Sequence, residues 1–166
     1  MNLKKREPLP ECRAYYSSPI GTIEIIGNKR ALLAVRFVPK KPPAAPAVPP
    51  VLKRAARELD EYFRGKRKKF TLELALQGTD FQIAVWRRLL EIPFGETVSY
   101  SQVAEALARP KAVRAVGMAN AMNKIGIVIP CHRVVGSDGR LVGYGGGLWR
   151  KEWLLAHEGK FRREVI

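Results

Sequence analysis

The stretch IPCHRVVGSDG, residues 129–139, contains a cysteine that is directly followed by a histidine. A thiol and an imidazole are the usual components of a nucleophile and its base. Neighbouring side chains point to opposite faces of a strand and lie about 100° apart on a helix. Cys131 and His132 are therefore poorly placed for direct contact. An alternative interpretation is that Cys131 is a small, buried apolar residue.

The chain offers few other groups for this kind of chemistry. Its 166 residues include two cysteines and two histidines, and no Cys/His cluster has the spacing of metal ligands. We therefore predict that no metal is bound. A disulfide between Cys12 and Cys131 is not expected in a reducing compartment. A Cys–His hydrolase is one hypothesis, although a base distant in sequence from Cys131 would have to be His157.

The charge balance points to a polyanionic partner. Thirty Lys and Arg residues against fifteen Asp and Glu residues give a formal net charge of +15 and a pI near 10.3. Such an excess indicates nucleic acid first and an anionic membrane surface second. No apolar run approaches the roughly 20 residues of a membrane span, and the basic N-terminus lacks the apolar segment of a signal peptide. We expect a cytoplasmic monomer that does not bind membranes.

The predicted fold class is α+β, and its first domain covers residues 1–76. Three short segments, CRAYYSSP, GTIEIIGN and ALLAVRFVP, are rich in β-branched and aromatic residues and predict a small antiparallel sheet. The proline-rich residues 39–50 predict an extended loop. An apolar stripe over residues 51–64 predicts a helix that ends at Gly65. The alternation in residues 69–76 predicts a further strand.

Residues 77–166 predict a second, mainly helical domain. Thr79 or Asp80 begins an amphipathic helix, and Ser99 begins another that stops before Pro110. The segment KAVRAVGMANAM forms a further helix after a tight turn. Two short helices joined in this way are typical of a DNA-binding helix-turn-helix, although many helical domains contain such a pair. The apolar segment GIVIP predicts a strand that leads to Cys131.

The second helix of this pair is unusual for a protein that reads base sequence. Arg114 is its main long polar side chain, and small residues dominate the rest. Readers of base edges normally present Asn, Gln, Arg or Lys at several positions. The helix therefore favours close, largely sequence-independent approach to DNA. A small helix-turn-helix regulator with an incidental or redox-sensing cysteine is an alternative.

The segment IPCHRVV occurs together with TVSYSQVAEAL, AVRAVGMANAMN and GYGGGLWRKEWLLAHEG. Over residues 78–159 this combination resembles the O6-alkylguanine-DNA alkyltransferase family. The resemblance implies that Cys131 takes an alkyl group from guanine O6, and by extension from O4-alkylthymine, and keeps it as a thioether. Each molecule would act once and need no cofactor.

The resemblance also assigns roles around the thiol. His132 would reach Cys131 through an ordered water, and Glu158 would hold the imidazole so that it can carry a positive charge. A charged imidazole would raise the thiolate fraction. Tyr100 would donate a hydrogen bond to guanine N3, and Asn123 would tie the helix-turn-helix to the active-site turn.

The partner that the resemblance implies is double-stranded DNA carrying O6-alkylguanine, bound through its minor groove. Arg114 would enter the base stack and replace the flipped nucleotide, whereas Arg133 is expected to be structural, in a buried ion pair. Gly145 departs from the family pattern, which often has Ser, Ala or Arg there. A related alternative is an alkyltransferase-like protein that binds lesions without an acceptor thiol, against which Cys131 argues. Further contacts with DNA or substrate are implied at Tyr100, Ser101, Arg109, Ala115, Gly117, Val134, Ser137, Tyr144 and Gly145.

Overall fold

The computed structural model of the chain describes residues 8–43 and 47–162. It begins with three antiparallel strands, β1 (Cys12–Ser18), β2 (Gly21–Gly27) and β3 (Leu32–Val38), in the order β1-β2-β3. The predicted sheet is thus confirmed. Ile23 and Ile25 lie on one face of the central strand β2 and are fully buried in the core. The described parts of the proline-rich segment before Pro50 form no helix or strand, and residues 44–46 lie outside the described residues.

Helix α1 (Pro50–Phe63) packs on β1 and β2 through a fully buried stripe that includes Leu52, Leu59 and Tyr62. A proline at its first turn suits the helix because that position has no intrahelical donor to lose. After the helix, Gly65 adopts a φ of +72°, and a Cβ there would lie 2.4 Å from the ring of Phe161. Glycine is therefore required at this position, and α1 ends where the sequence predicts.

The second half is helical, as expected for an α+β chain. Helix α2 (Asp80–Leu89) begins at Thr79, and α3 (Tyr100–Ala106) begins at Ser99. In both helices the hydroxyl of the cap residue accepts a hydrogen bond from the backbone N–H three residues later. The side chain of that later residue, a glutamine, accepts from the backbone N–H of the cap residue. Helix α4 (Val113–Ala121) follows after a tight turn, and the indole of Trp86 on α2 donates to the carbonyl of Ala119 on α4 (2.8 Å).

Two further elements complete the described fold. The two-residue strands β4 (Val98–Ser99) and β5 (Val134–Val135) pair in parallel, which joins the start of α3 to the segment after Cys131. Helix α5 (Leu148–Arg162) then packs against the Cys131 segment. None of the helices in the described ranges has the length and apolar character that a membrane span requires.

Two predicted strands are wrong. Residues 69–76 form one isolated bridge, Leu74 to Leu32, and GIVIP forms turns after a bridge from Ile125 to Val35. Each segment pairs with the outer edge of β3 at one bridge only, so neither adds a strand to the sheet. In GIVIP the backbone of Ile127 adopts a φ of +68°, which is incompatible with an extended strand.

Candidate active site

Cys131 is a buried residue in the lining of a large cleft. Cys131 is the first residue of a short 3₁₀ turn, Cys131–Arg133, and only 7% of its surface is exposed. The cleft has a volume of about 1190 Å³. Its walls come from both halves of the chain: Phe37 on β3, Arg114 on α4 and Tyr144 on the loop before α5. A small buried nucleophile is thus open to a large ligand from one side.

The adjacent histidine turns away from this cleft. His132 is fully buried, is not among the residues that line the cleft, and places its Nε2 2.7 Å from Oε1 of Glu158. Its other ring nitrogen, Nδ1, is buried and has no hydrogen-bond partner among the described residues. The structure therefore contains no direct hydrogen bond between the imidazole Nδ1 and the thiol of Cys131.

Glu158 is the centre of a buried network. Its Oε1 accepts hydrogen bonds from His132 Nε2 (2.7 Å), Tyr62 OH (2.7 Å) and Arg133 Nη2 (2.9 Å). Its Oε2 accepts from Arg133 Nε (2.8 Å) and the backbone N–H of Gly95 (3.0 Å). The buried ion pair predicted for Arg133 is confirmed. A carboxylate buried with this many donors is stable in its charged form.

The charge on Glu158 determines the tautomer of His132. Burial by itself would raise the pKa of the Glu158 carboxyl, but His132 and Arg133 outweigh burial and hold the pKa well below its usual range. An ionised carboxylate only accepts hydrogen bonds, so Nε2 of His132 must carry the proton. In the neutral ring, Nδ1 then has a free lone pair and can accept a proton.

Burial disfavours the charged forms of both the thiol and the imidazole. Burial raises the pKa of the Cys131 thiol, although the side chain of Asn123 and the charge of Lys151 act in the opposite direction. Burial lowers the pKa of His132, and Glu158 offsets only part of that effect. These directions favour a neutral pair near pH 7, and the positive charge on His132 that the resemblance implies stays a prediction.

The helix-turn-helix presents a face of small and basic residues beside the cleft. Arg114 and Ala115 on α4 are exposed, and the ring of Tyr100 lies 3.9 Å from the position that a Cβ on Gly117 would take. The hydroxyl of Tyr100 donates to the carbonyl of Val142 (2.9 Å). Tyr100 therefore contacts the loop before α5, which also lines the cleft, and its hydroxyl proton is already engaged.

Only some of the predicted site residues meet at the cleft. Cys131, Tyr100, Asn123, Arg114, Gly117, Tyr144 and Gly145 line it. Ser101, Arg109, Ala115, Ser137, Val134 and Glu158 do not: the first four are partly or fully exposed outside it, whereas Val134 and Glu158 are fully buried behind it. Asn123 donates to the carbonyl of Ile129 (2.9 Å) and accepts from the N–H of Ile125 (3.0 Å), so it links the end of α4 to the turn before Cys131.

Comparison with known proteins supplies the family. Residues 12–76 match the model of the 6-O-methylguanine DNA methyltransferase ribonuclease-like domain, and residues 80–160 match that of the 6-O-methylguanine DNA methyltransferase DNA-binding domain. A methylated-DNA–protein-cysteine methyltransferase of Methanosarcina barkeri is 49% identical over 146 residues, which are 85% of this chain and 92% of the relative. The chain belongs to the 6-O-methylguanine DNA methyltransferase family.

Solved structures of the same family share the fold. The crystal structure of Mycobacterium tuberculosis O6-methylguanine methyltransferase superposes with a TM-score of 0.84 at 40% identity, covering 94% of this chain and 97% of that one. The structure of M. tuberculosis OGT in complex with DNA has a TM-score of 0.81 at 42% identity, covering 89% and 92%.

In the glycine run of this methyltransferase-family chain, the wall of the cleft leaves no space for a side chain at Gly146. A Cβ on Gly146 would lie 2.9 Å from the ring of Phe37 and 3.0 Å from that of Tyr144, so a side chain there would force the cleft wall to move. A Cβ on Gly145 would meet no atom within 4 Å. Packing therefore does not require a glycine at position 145, where the family often has Ser, Ala or Arg.

Sequence reasoning missed three residues of the site. Lys151 is fully buried on α5, and its Nζ donates to the carbonyls of Val134 (2.6 Å), Val142 (3.1 Å) and Gly143 (3.3 Å). Asn120 is buried in the cleft wall, and its Oδ1 has no partner in the described part of the chain. Tyr62 belongs to the Glu158 network. Helical spacing places Lys151 on the same face of α5 as Glu158, a signal that could have identified it.

Proposed function

We propose that this protein repairs DNA by transferring the alkyl group of O6-alkylguanine to Cys131, in one irreversible event per molecule. The observation that carries the proposal is the position of the thiol: Cys131 lines a cleft that the helix-turn-helix also lines, and the adjacent His132 is buried against Glu158. This arrangement suits attack on a base that has left the duplex.

The chemistry we infer is a single displacement. The thiol proton moves to Nδ1 of His132 through a water, and the charge that forms on the imidazole is stabilised by Glu158. The sulfur attacks the alkyl carbon, a C–S bond forms, the bond from carbon to O6 breaks, and the electron pair remains on guanine. Guanine takes up a proton, so that the proton lost by the thiol is balanced. The same displacement fits O4-alkylthymine.

The base must leave the stack before this reaction, because O6 faces the partner base inside a duplex. We infer that Arg114, exposed at the rim of the cleft, takes the space of the flipped nucleotide from the minor groove. We infer that Tyr100, which lines the cleft, donates a hydrogen bond to the bound base, and that donor would stabilise negative charge on the leaving guanine. Because the hydroxyl is engaged with Val142, the loop before α5 must release it when substrate binds.

The direct test is transfer of label. Duplex DNA with radiolabelled O6-methylguanine is incubated with the protein, and label on intact protein is counted against the protein present. We expect one equivalent, lost in Cys131→Ser and retained in the matched control Cys12→Ser. Continued turnover would instead indicate a hydrolase. Tight lesion binding without transfer would leave an alkyltransferase-like lesion-binding protein, and the absence of both would favour a helix-turn-helix regulator.

The partner follows from the same proposal. We infer binding to duplex DNA with little dependence on sequence, since α4 presents small residues and one exposed arginine to the cleft rim. All the groups that the reaction uses come from one chain, which favours a monomer. The protein would work in the compartment that holds the DNA, which agrees with the expected cytoplasmic location.

A further inference from the structure

We propose that Tyr62, a residue of α1 in the N-terminal part of the chain, is a positioning residue for alkyl transfer: its hydroxyl orients Glu158 and limits the negative charge that Glu158 offers to His132. This inference rests on the proposed function. It gives the N-terminal part of the chain an influence on the protonation of the active site, although Tyr62 itself does not line the cleft.

The contact is direct and shared. The hydroxyl of Tyr62 donates to Oε1 of Glu158 at 2.7 Å, and the same oxygen accepts from His132 Nε2 at 2.7 Å. Tyr62 and Glu158 are both fully buried and lie 96 positions apart in the sequence. Arg133 Nη2 also donates to this oxygen (2.9 Å), so three donors share its negative charge, and the tyrosine weakens the support that His132 receives.

Tyr62 is held firmly enough to act in this way. Its ring packs against those of Phe70 at 5.5 Å, Phe94 at 5.9 Å and His157 at 5.3 Å between centroids. Its backbone carbonyl lies 2.8 Å from Nε2 of His157, the residue next to Glu158. A phenylalanine would keep these ring contacts and the carbonyl, and would lose the hydroxyl alone.

The hydroxyl of Tyr62 keeps its proton, and so remains a donor, over the pH range in which the protein works. Burial, reinforced by the charge of Glu158, raises the pKa of Tyr62 well above its usual value. Other ionisable groups also face the network: Arg133 beside His132, Lys151 on α5, Cys131 in the cleft and Tyr144 on the loop. Tyr62→Phe leaves all of them unchanged, so a change in His132 titration reports the lost hydroxyl.

The expected direction of the change in the pKa of His132 follows from the competition between donors for Oε1 of Glu158. Without Tyr62 as a donor, Oε1 offers more negative charge to His132, and the imidazolium form becomes more stable. The pKa of His132 therefore rises in Tyr62→Phe. Since the proposed base must be neutral to accept the thiol proton, the acid limb of the rate profile moves to higher pH. On the acid side, each pH unit of displacement slows transfer by about tenfold.

The experiment is a pH profile of single-turnover transfer from methylated duplex DNA, for the wild type, Tyr62→Phe and Tyr16→Phe. Tyr16 is the matched control because its ring stacks on Phe63 (5.9 Å), in the same aromatic cluster, whereas its hydroxyl donates to Asp60 (3.1 Å) and not to Glu158. We expect the acid midpoint to move up in Tyr62→Phe only. An unchanged or lowered midpoint in Tyr62→Phe, or the same rise in Tyr16→Phe, would overturn the proposal.

A second measurement separates this proposal from the proposed function. The chain has two histidines, so the imidazole of His132 can be followed by NMR titration without DNA. The titration midpoint of His132 should move to higher pH in Tyr62→Phe relative to the wild type and Tyr16→Phe. If the wild type transferred no label, this titration would still test the coupling, and an unshifted His132 signal would reject it.

Discussion

At the scale of single residues, Cys131 and His132 are adjacent in the sequence, but their side chains point in different directions. The thiol lies at the cleft, whereas the imidazole turns into the protein and binds Glu158 at 2.7 Å. Burial raises the pKa of the thiol and lowers the pKa of the imidazole, which favours formation of the thiolate only as the reaction proceeds. An acceptor that reacts once has no product to release from its sulfur, and this arrangement is sufficient for it.

Lys151 is expected to control the reactivity of that thiol. Its charge lowers the pKa of Cys131, against the larger effect of burial. Lys151→Met in a Cys12→Ser background should therefore raise the thiol pKa further and slow alkylation by iodoacetamide several-fold near pH 7, because less thiolate is present. The rate is measured as a function of pH.

The same substitution removes a donor from three carbonyls, which should lower the free energy of unfolding by about 1–3 kcal/mol, as measured by urea denaturation. Lys160→Met, on the same helix but exposed, is the control for both readouts. An alkylation profile for Lys151→Met that matches this control would argue against an electrostatic role of Lys151.

At the scale of elements, a very short parallel pair organises the site. Strands β4 and β5 join Ser99, the cap of α3, to Val135, four residues after the thiol. The helix-turn-helix and the nucleophile are therefore fixed relative to each other by the backbone. Asn123 makes a second link, from the end of α4 to the turn before Cys131. The division into two domains near residue 77 stays a prediction.

Arg114 on α4 is expected to affect the rate of alkyl transfer only when the base has to be flipped out of a duplex. Arg114→Ala is expected to slow transfer from duplex DNA by about tenfold or more, because flipping costs a few kcal/mol that the guanidinium no longer offsets. Transfer from a free alkylguanine base should be nearly unchanged. Single-turnover rates on the two substrates give the comparison, and Arg87→Ala, an exposed arginine on α2, is the matched control. Equal losses on both substrates would reject this role.

At the scale of the whole molecule, we expect the net charge of +15 to dominate association with DNA. Each phosphate that the protein neutralises releases counterions and steepens the dependence of log K on log salt by about 0.9. We expect affinity for undamaged duplex DNA to fall steeply between low and physiological salt, with little effect of sequence. Fluorescence anisotropy over a salt series measures the slope. A flat response would contradict binding through the phosphate backbone.

The sequence by itself determined the features that depend on neighbouring residues. Two capping boxes locate the starts of α2 and α3, Gly65 ends α1, and the surroundings of Cys131 indicate the reaction. The alternation of apolar and polar residues over 69–76 predicts a strand that does not form. A strand must pair along the edge of a neighbour, and these residues pair with β3 at one bridge only.

Only the tertiary structure decided the protonation state of the site. The donors to Glu158 come from α1, the turn after α2 and the Cys131 segment, and Lys151 is buried against a loop. Desolvation and long-range hydrogen bonds set the pKa of each group, and these depend on residues as far apart as Tyr62 and Glu158. The resemblance of the Cys131 segment and its companion motifs to the family therefore pointed to the nucleophile, and folding determined how it can be activated.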